Sequence, residues 1–291
     1  MEMKKHAICI LAHKNWEQLD DLIGVLESQY SDVYLHIDKK RRNDFDRYAK
    51  GHDFKRHKNV CMIESYNVDW GGYSQLLVEL ALFNKVLEHG DDYDYVHLIS
   101  GQDFPLMSMR NIAEECNKTR YDYLGFITGE GKKRYERRLR YWNILVSRVR
   151  NSKVCDYTRK AFLVVQMLLG INRLKDCPLT FEVGANWMSI TIKSLKYIVD
   201  EYPKYEKYFK HGMSAEECYK QMILETCLTA NIVNDCKRYV VFEHLQPSPK
   251  TLTMDMYDDI MSSGAFFARK FDDDVDKNVR LEIKKRITQN I

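Results

Sequence analysis

The first 126 residues alternate short apolar runs with helices that carry one apolar face, and this alternation constrains the fold more than any other feature. The runs are His6 to Ala12, Val33 to Asp38, Val60 to Glu64 and Tyr95 to Ile99. Behind Asn15, a residue type that caps helices, Leu19, Leu22, Ile23 and Leu26 recur at i, i+3, i+4 and i+7. Ser74 to Gly90 reads as a second helix closed by glycine, Ser108 opens a third, and "YDYLGF" at 121 to 126 is a further strand. Such an order predicts an α/β fold, a mostly parallel sheet with helices on both faces. The second half reads as more helical. Lys132 to Lys175 gives two helices, and 181 to 201 gives a loop, a strand at Trp187 to Ile190 and a helix. Ser214 opens another helix, 238 to 242 is a late strand, and a charged helix ends the chain. Without repeats or a linker, residues 1–291 are expected to form a single domain with halves 1–126 and 127–291.

Composition narrows the function. The net charge of +3 hides a segment, 132–175, with thirteen Lys or Arg against two acids, so this stretch carries +11 and the rest of the chain −8. Nucleic-acid binding finds little support in so small a net charge with no recognised module. The eight cysteines include no C-x-x-C pair, which fits free thiols rather than a zinc ribbon. No run approaches the ~20 apolar residues of a membrane span. The chain is expected in the cytoplasm, or peripherally on the inner face of a membrane through 132–175.

On open parallel sheets, ligands bind outside the carboxyl ends of strands. Here these ends carry Leu11 to His13, Asp38 to Lys40, and Ser100 to Asp103. In "HLISGQDFPL", Gly101 lets the backbone turn and Pro105 fixes the exit, which holds Gln102 and Asp103 over the crevice; the alternative is a turn whose aspartate only caps amides. Of the acidic pairs that could hold a divalent ion, Asp92 and Asp94 precede their strand, Asp44 and Asp46 sit in a polar helix, and Asp272 to Asp274 read as a solvated helix entry. No metal site is expected. Arg269 and Lys270, embedded among aromatics in "AFFARKFD", are the leading cation pair, and Lys250 is a third. Ser214-x-x-Glu217 has the letters of a capping box, and Glu217 is alternatively a general base at a rigid helix start. Glu216 is expected to face solvent. Trp70, before Gly71 and Gly72, either meets a sugar or fills the core. His13 and His36 lack metal-ligand spacing.

Taken in order, "LAHKNWEQLDDLI", "VYLHIDKK", "VDWGGYS", "LISGQDFPL", "GANW", "SAEECYKQMIL" and "FFARKFD" resemble the core-2/I-branching β-1,6-N-acetylglucosaminyltransferases and the related peptide O-xylosyltransferases, from about His6 to Asp272. The form resembled is a bacterial-type minimal one without anchor or stem. The resemblance implies a GT-A-like fold, an inverting transfer from a UDP-sugar to a glycan or lipid-linked glycan hydroxyl, and no metal cofactor. It implies Glu217 as catalytic base. By that resemblance Leu11 and Asp38 would contact the uracil end, while His13, Gln102 and Asp103 join the expected nucleotide site from their place at the strand ends, and Arg269, Lys270 and Lys250 would meet the diphosphate. Trp70, Asn186 and Trp187 would meet sugar or acceptor. Asn186 stands where xylosyltransferase-like members carry an active-site aspartate, which argues against xylosyl transfer. The alternatives are a non-catalytic nucleotide-sugar- or carbohydrate-binding module on the same fold, or a xylosyltransferase-like donor choice.

Overall fold

The computed structural model describes residues 4–89, 93–144, 146, 152–243, 246 and 248–289. Strands β1 (Lys5–Ala12), β2 (Ser31–Ile37), β3 (Val60–Met62) and β4 (Tyr93–Ser100) run parallel to their neighbours in the order β3-β2-β1-β4. The sheet continues with β7 (Met188–Thr191), antiparallel to β4, then β6 (Asp122–Leu124) and β8 (Ile232–Asn234). Strands from residues 1–126 and from 127–291 therefore share one sheet. This is the α/β arrangement expected, with a mostly parallel sheet that is mixed at one edge.

Both faces of the sheet are covered, which explains why β1 reads as an unbroken apolar run rather than an alternation. Ile8, Ile10 and Ala12 enter one core with Leu19, Leu22 and Leu26 of α1 (Trp16–Leu26). Ala7 and Cys9 enter the other, with Leu76 and Phe83 of α3 (Tyr73–Leu87) and Leu195 of α7 (Ile192–Phe209). All eight cysteines are free thiols.

A second sheet, absent from the sequence reading, follows the turn at Gly101. Strand β5 (Asp103–Pro105) pairs antiparallel with β10 (Phe267–Arg269), and β10 pairs parallel with β9 (Arg238–Val240). Pro105 thus lies in an edge strand, where its missing N–H is tolerated. A Cβ on Gly101 would meet that of Ala12 at 3.0 Å, so glycine lets the strand end pack against β1. Strand β9 falls within the late strand expected at 238 to 242, whereas β5 and β10 were missed because three residues are too short to show alternation.

Helix ends also differ from expectation. Asn15 precedes α1 but its side chain makes no cap; it donates instead to Asp272 at 2.8 Å. Helix α3 starts behind Gly72 rather than at Ser74. Ser108 does cap α4 (Met109–Thr119), accepting from the Asn111 N–H. The basic segment forms α5 (Gly129–Arg140) and α6 (Lys153–Leu168); Arg148 and Arg150 of that stretch, and Asp92, lie outside the described residues. After Ser214 comes a 3-10 turn, Ala215–Glu217, and then α8 (Tyr219–Leu224), all six residues of which are buried. The chain closes with α9 (Tyr257–Ser262) and α10 (Asn278–Gln289).

Candidate functional site

The carboxyl ends of β1, β2 and β4 bring several of the expected residues together. Asp38 follows β2, its N–H donating to the Ala12 carbonyl, and its carboxylate accepts from the Lys40 N–H. His13 lies next to it. Partial burial and the positive charge of Lys14 push this imidazole below its usual range, with Asp38 opposing and Arg41 and Arg269 adding to the shift. Leu11 is half-buried beneath them.

Strand pairing sets Arg269 opposite Asp103. The Arg269 guanidinium lies 4.4 Å from the Trp187 ring centre and 3.6 Å from Asp103, close enough for an ion pair but too long for a hydrogen bond. Its Nε and Nη1 are buried without hydrogen-bond partners, as is Asp103 Oδ1. Burial raises the Asp103 carboxyl and Arg269 opposes it; burial lowers the Arg269 guanidinium and Asp103 opposes that. Asp103 also accepts from the Ser100 N–H, which agrees with the capping alternative rather than with a carboxylate held over the crevice; its place beside Arg269 was not foreseen. Being wholly buried, Asp103 reaches a ligand only through Arg269. Gln102 is likewise inward: its amide donates to the Phe271 carbonyl, latching the C-terminal strand to the turn. Lys270 follows Arg269, half-exposed, and its carbonyl accepts from Leu252, which runs the segment of exposed Lys250 alongside.

Glu217 meets the start of the stretch 184–187, which bends at Asn186. Its carbonyl accepts from the Gly184 N–H at 2.9 Å, and Trp187 carries Arg269, so the two functional groups flank a stretch of at most about 11 Å. A Cβ on Gly184 would fall 1.6 Å from the Gly125 carbonyl oxygen, so only glycine fits there. The capping-box reading of Glu217 fails. Ser214 adopts φ 53° with no side-chain cap, its N–H goes to the Gly71 carbonyl, and the Glu217 carboxylate meets Arg138 of α5 at 3.2 Å. Burial raises the Glu217 carboxyl, against the lowering effect of Arg138 and Lys220. Trp70, beside that contact, is 47% exposed, which rules out the core alternative. The same loop joins the two ends of the site, because Lys40 bonds to Val68 and Asp69.

Two expectations are corrected here. Asn186 does not face the crevice: its amide donates to Glu79 and accepts from Lys220 inside a buried knot that also holds Tyr219. Glu216 does not face solvent; it is 4% exposed, one carboxylate oxygen has no partner, and burial beside Glu217 and Glu79 pushes its pKa up to about 8. Glu79, Lys220, Arg138 and Arg238 were missed. Lys220 and Glu79, charges set within apolar helical runs, left a signal in the sequence.

The acidic run 272–274 is not a solvated entry, since Asp272 pairs with Lys14 and Asp273 with buried Arg280. Among the described residues, His6, His97 and Cys116 are close enough to share an ion. These histidines bond to each other at 2.8 Å and His97 to Ser189, while the Arg238 guanidinium stands near and itself donates to Ser189. A fixed cation beside the group, and hydrogen bonds that already occupy both nitrogens of His97 and Nδ1 of His6, suit a core polar network better than a metal, although His6 Nε2 has no partner.

The sequence profile described as Core-2/I-Branching enzyme matches residues 8–262. Beta-glucuronosyltransferase GlcAT14B of Arabidopsis thaliana is 23% identical over 253 residues, covering 81% of this chain and 56% of its own length. The chain thus spans little more than half of that relative. Two solved structures overlap parts of it. A 4-diphosphocytidyl-2C-methyl-D-erythritol synthase from Anaerococcus prevotii is 12% identical with TM-score 0.28, covering 44% of this chain and 56% of its own. The mannosyltransferase PcManGT from Pyrobaculum calidifontis is 9% identical with TM-score 0.29, covering 48% and 39%.

Proposed function

We infer, since this chain belongs to the Core-2/I-Branching enzyme family and is a glycosyltransferase of that family, that it moves a sugar from a UDP-sugar to a glycan hydroxyl with inversion and without a metal ion. N-acetylglucosamine is the donor sugar favoured by the family resemblance, and surface polysaccharide assembly is the setting. The glucuronosyl relative makes UDP-glucuronate the second donor to try. The observation that carries this reading is that residues 184–187 connect Glu217, whose carboxyl is raised by burial, with the buried Arg269, whose Nε and Nη1 lack hydrogen-bond partners.

The chemistry follows from these positions. Glu217 removes the proton from the acceptor hydroxyl as its oxygen attacks the anomeric carbon, and a base raised toward neutrality suits that transfer. UDP leaves from the opposite face with negative charge growing on its phosphate. Arg269 and Lys270, aided by Lys250, stabilise that charge. Arg269 is already held by Trp187 and Asp103, so no reorganisation precedes the reaction, and such a preset donor contributes about 3 kcal/mol. Asp38, His13 and Leu11 border the nucleotide end, and Trp70 and Trp187 offer faces for sugar.

UDP release from a panel of UDP-sugars and simple glycan acceptors tests the reading. Turnover is expected to survive chelator, and Glu217→Gln to bind donor while losing roughly 100-fold or more in kcat. Loss of turnover with EDTA overturns the metal-free scheme. Donor binding without turnover by the unsubstituted protein would instead favour the non-catalytic module.

A further inference from the structure

We propose that α6 is an interfacial helix that seats this protein on an anionic lipid bilayer. The helix has sixteen residues, and its only buried one is a glutamine, Gln166. None of its apolar side chains joins either hydrophobic core. Val154, Tyr157, Val164, Val165 and Leu168, with Ala161 between them, recur at intervals of three and four and so form one stripe along the helix. The stripe faces outward, with Val154 73%, Tyr157 71% and Leu168 82% exposed. Among the described residues, nothing covers it.

Charge decides what covers it. Lys153 and Lys160 border the stripe, and on α5 the exposed Lys133, Arg134 and Arg137 have no carboxylate partner among the described residues. A second copy docking through this face would bring two segments of +11 together. An anionic surface is attracted to the same charges, and its acyl boundary accepts the aliphatic stripe. An anionic glycan would use the cations but leave the aliphatic side chains in water. No helix among the described residues is long and apolar enough to cross a membrane, so the contact is peripheral.

The site is wired to this helix. The Gln166 side chain bonds both the N–H and the carbonyl of Trp142, just after α5, and α5 supplies the Arg138 that meets Glu217. Docking through α6 therefore sets the acceptor side near the lipid. Resting on the glycosyltransferase reading, the acceptor it would meet there is a lipid-linked glycan.

Flotation with phosphatidylcholine vesicles, with and without roughly one-third phosphatidylglycerol, at ~0.05 M and ~0.5 M salt tests the proposal. The full chain is expected to float with the anionic vesicles and to be released by salt. The exposed double substitution Val165→Asp with Leu168→Ser should lower the partition coefficient about tenfold or more with an unchanged thermal midpoint. Lys153→Glu with Lys160→Glu should weaken it and reduce its salt dependence. Absence of flotation, flotation equal in the apolar double variant, or a dimer in buffer that Val165→Asp abolishes would overturn it. Glu217→Gln should float normally. Flotation without UDP release from any donor therefore defeats the enzymatic reading and leaves the docking intact.

Discussion

Glu217 and Glu216 are neighbours in the chain, yet the structure gives them opposite work. Glu217 keeps its side chain partly exposed, with a guanidinium at 3.2 Å. Burial raises its carboxyl, so with Glu217 as the proposed base the acid limb of kcat/KM should lie at higher pH than an exposed glutamate gives, activity being lost as pH falls through the raised pKa. Arg138 opposes that rise. Arg138→Gln should shift the limb to still higher pH in a pH–rate profile, and an unmoved limb would detach Arg138 from the base. Glu216 faces inward and holds its proton to about pH 8. The folded protein therefore binds a proton that the unfolded chain releases near its ordinary value of 4.5, and stability should decline between about pH 4.5 and 8. Glu216→Gln should flatten that decline in thermal midpoints taken across the window, by up to a few kcal/mol at its upper end. Adjacent glutamates in one sequence look alike; burial and backbone direction separate them, and neither is visible in the letters.

The turn before α8 is held by a buried ion pair. Lys220 donates to Glu79 at 2.6 Å and to the Glu216 carbonyl at 2.8 Å, with both charged side chains fully removed from water. Lys220→Met should cost roughly 3–5 kcal/mol in urea unfolding because Glu79 is left buried and unpaired, whereas adding Glu79→Gln should recover much of the loss. Additive losses in the double variant would refute the coupling. The apolar strands and the amphipathic α1 were legible because periodicity reports burial directly. Capping was less so. Asn15 and Ser214 both carry capping letters, but each adopts a left-handed backbone and spends its groups on contacts distant in sequence, Asn15 on Asp272 and Ser214 on Gly71. Local pattern could not foresee competing partners so distant in the chain, 257 residues away for Asn15.

At the scale of the molecule, the C-terminal strand and helix complete the site by returning to its beginning. Arg280, wholly buried, bonds Asp273 and Asp21, while Asp272 receives Lys14. Arg280→Met should therefore lower stability by about 2 kcal/mol or more in urea unfolding and weaken donor binding, since the segment that carries Arg269 loses its tether to α1. Unchanged donor affinity in a destabilised variant would uncouple the two. The sequence by itself determined the central sheet, the helices that cover it and the strand ends where the crevice opens, because hydrophobic spacing and turn residues act over a few neighbours. Only the tertiary structure decided that Asp103 serves Arg269, that Asn186 belongs to a buried knot, that Glu217 meets Arg138 and that α6 keeps its aliphatic side outward. Each of these depends on what burial and long-range pairing place beside a residue, which the order of amino acids leaves open until the chain has packed.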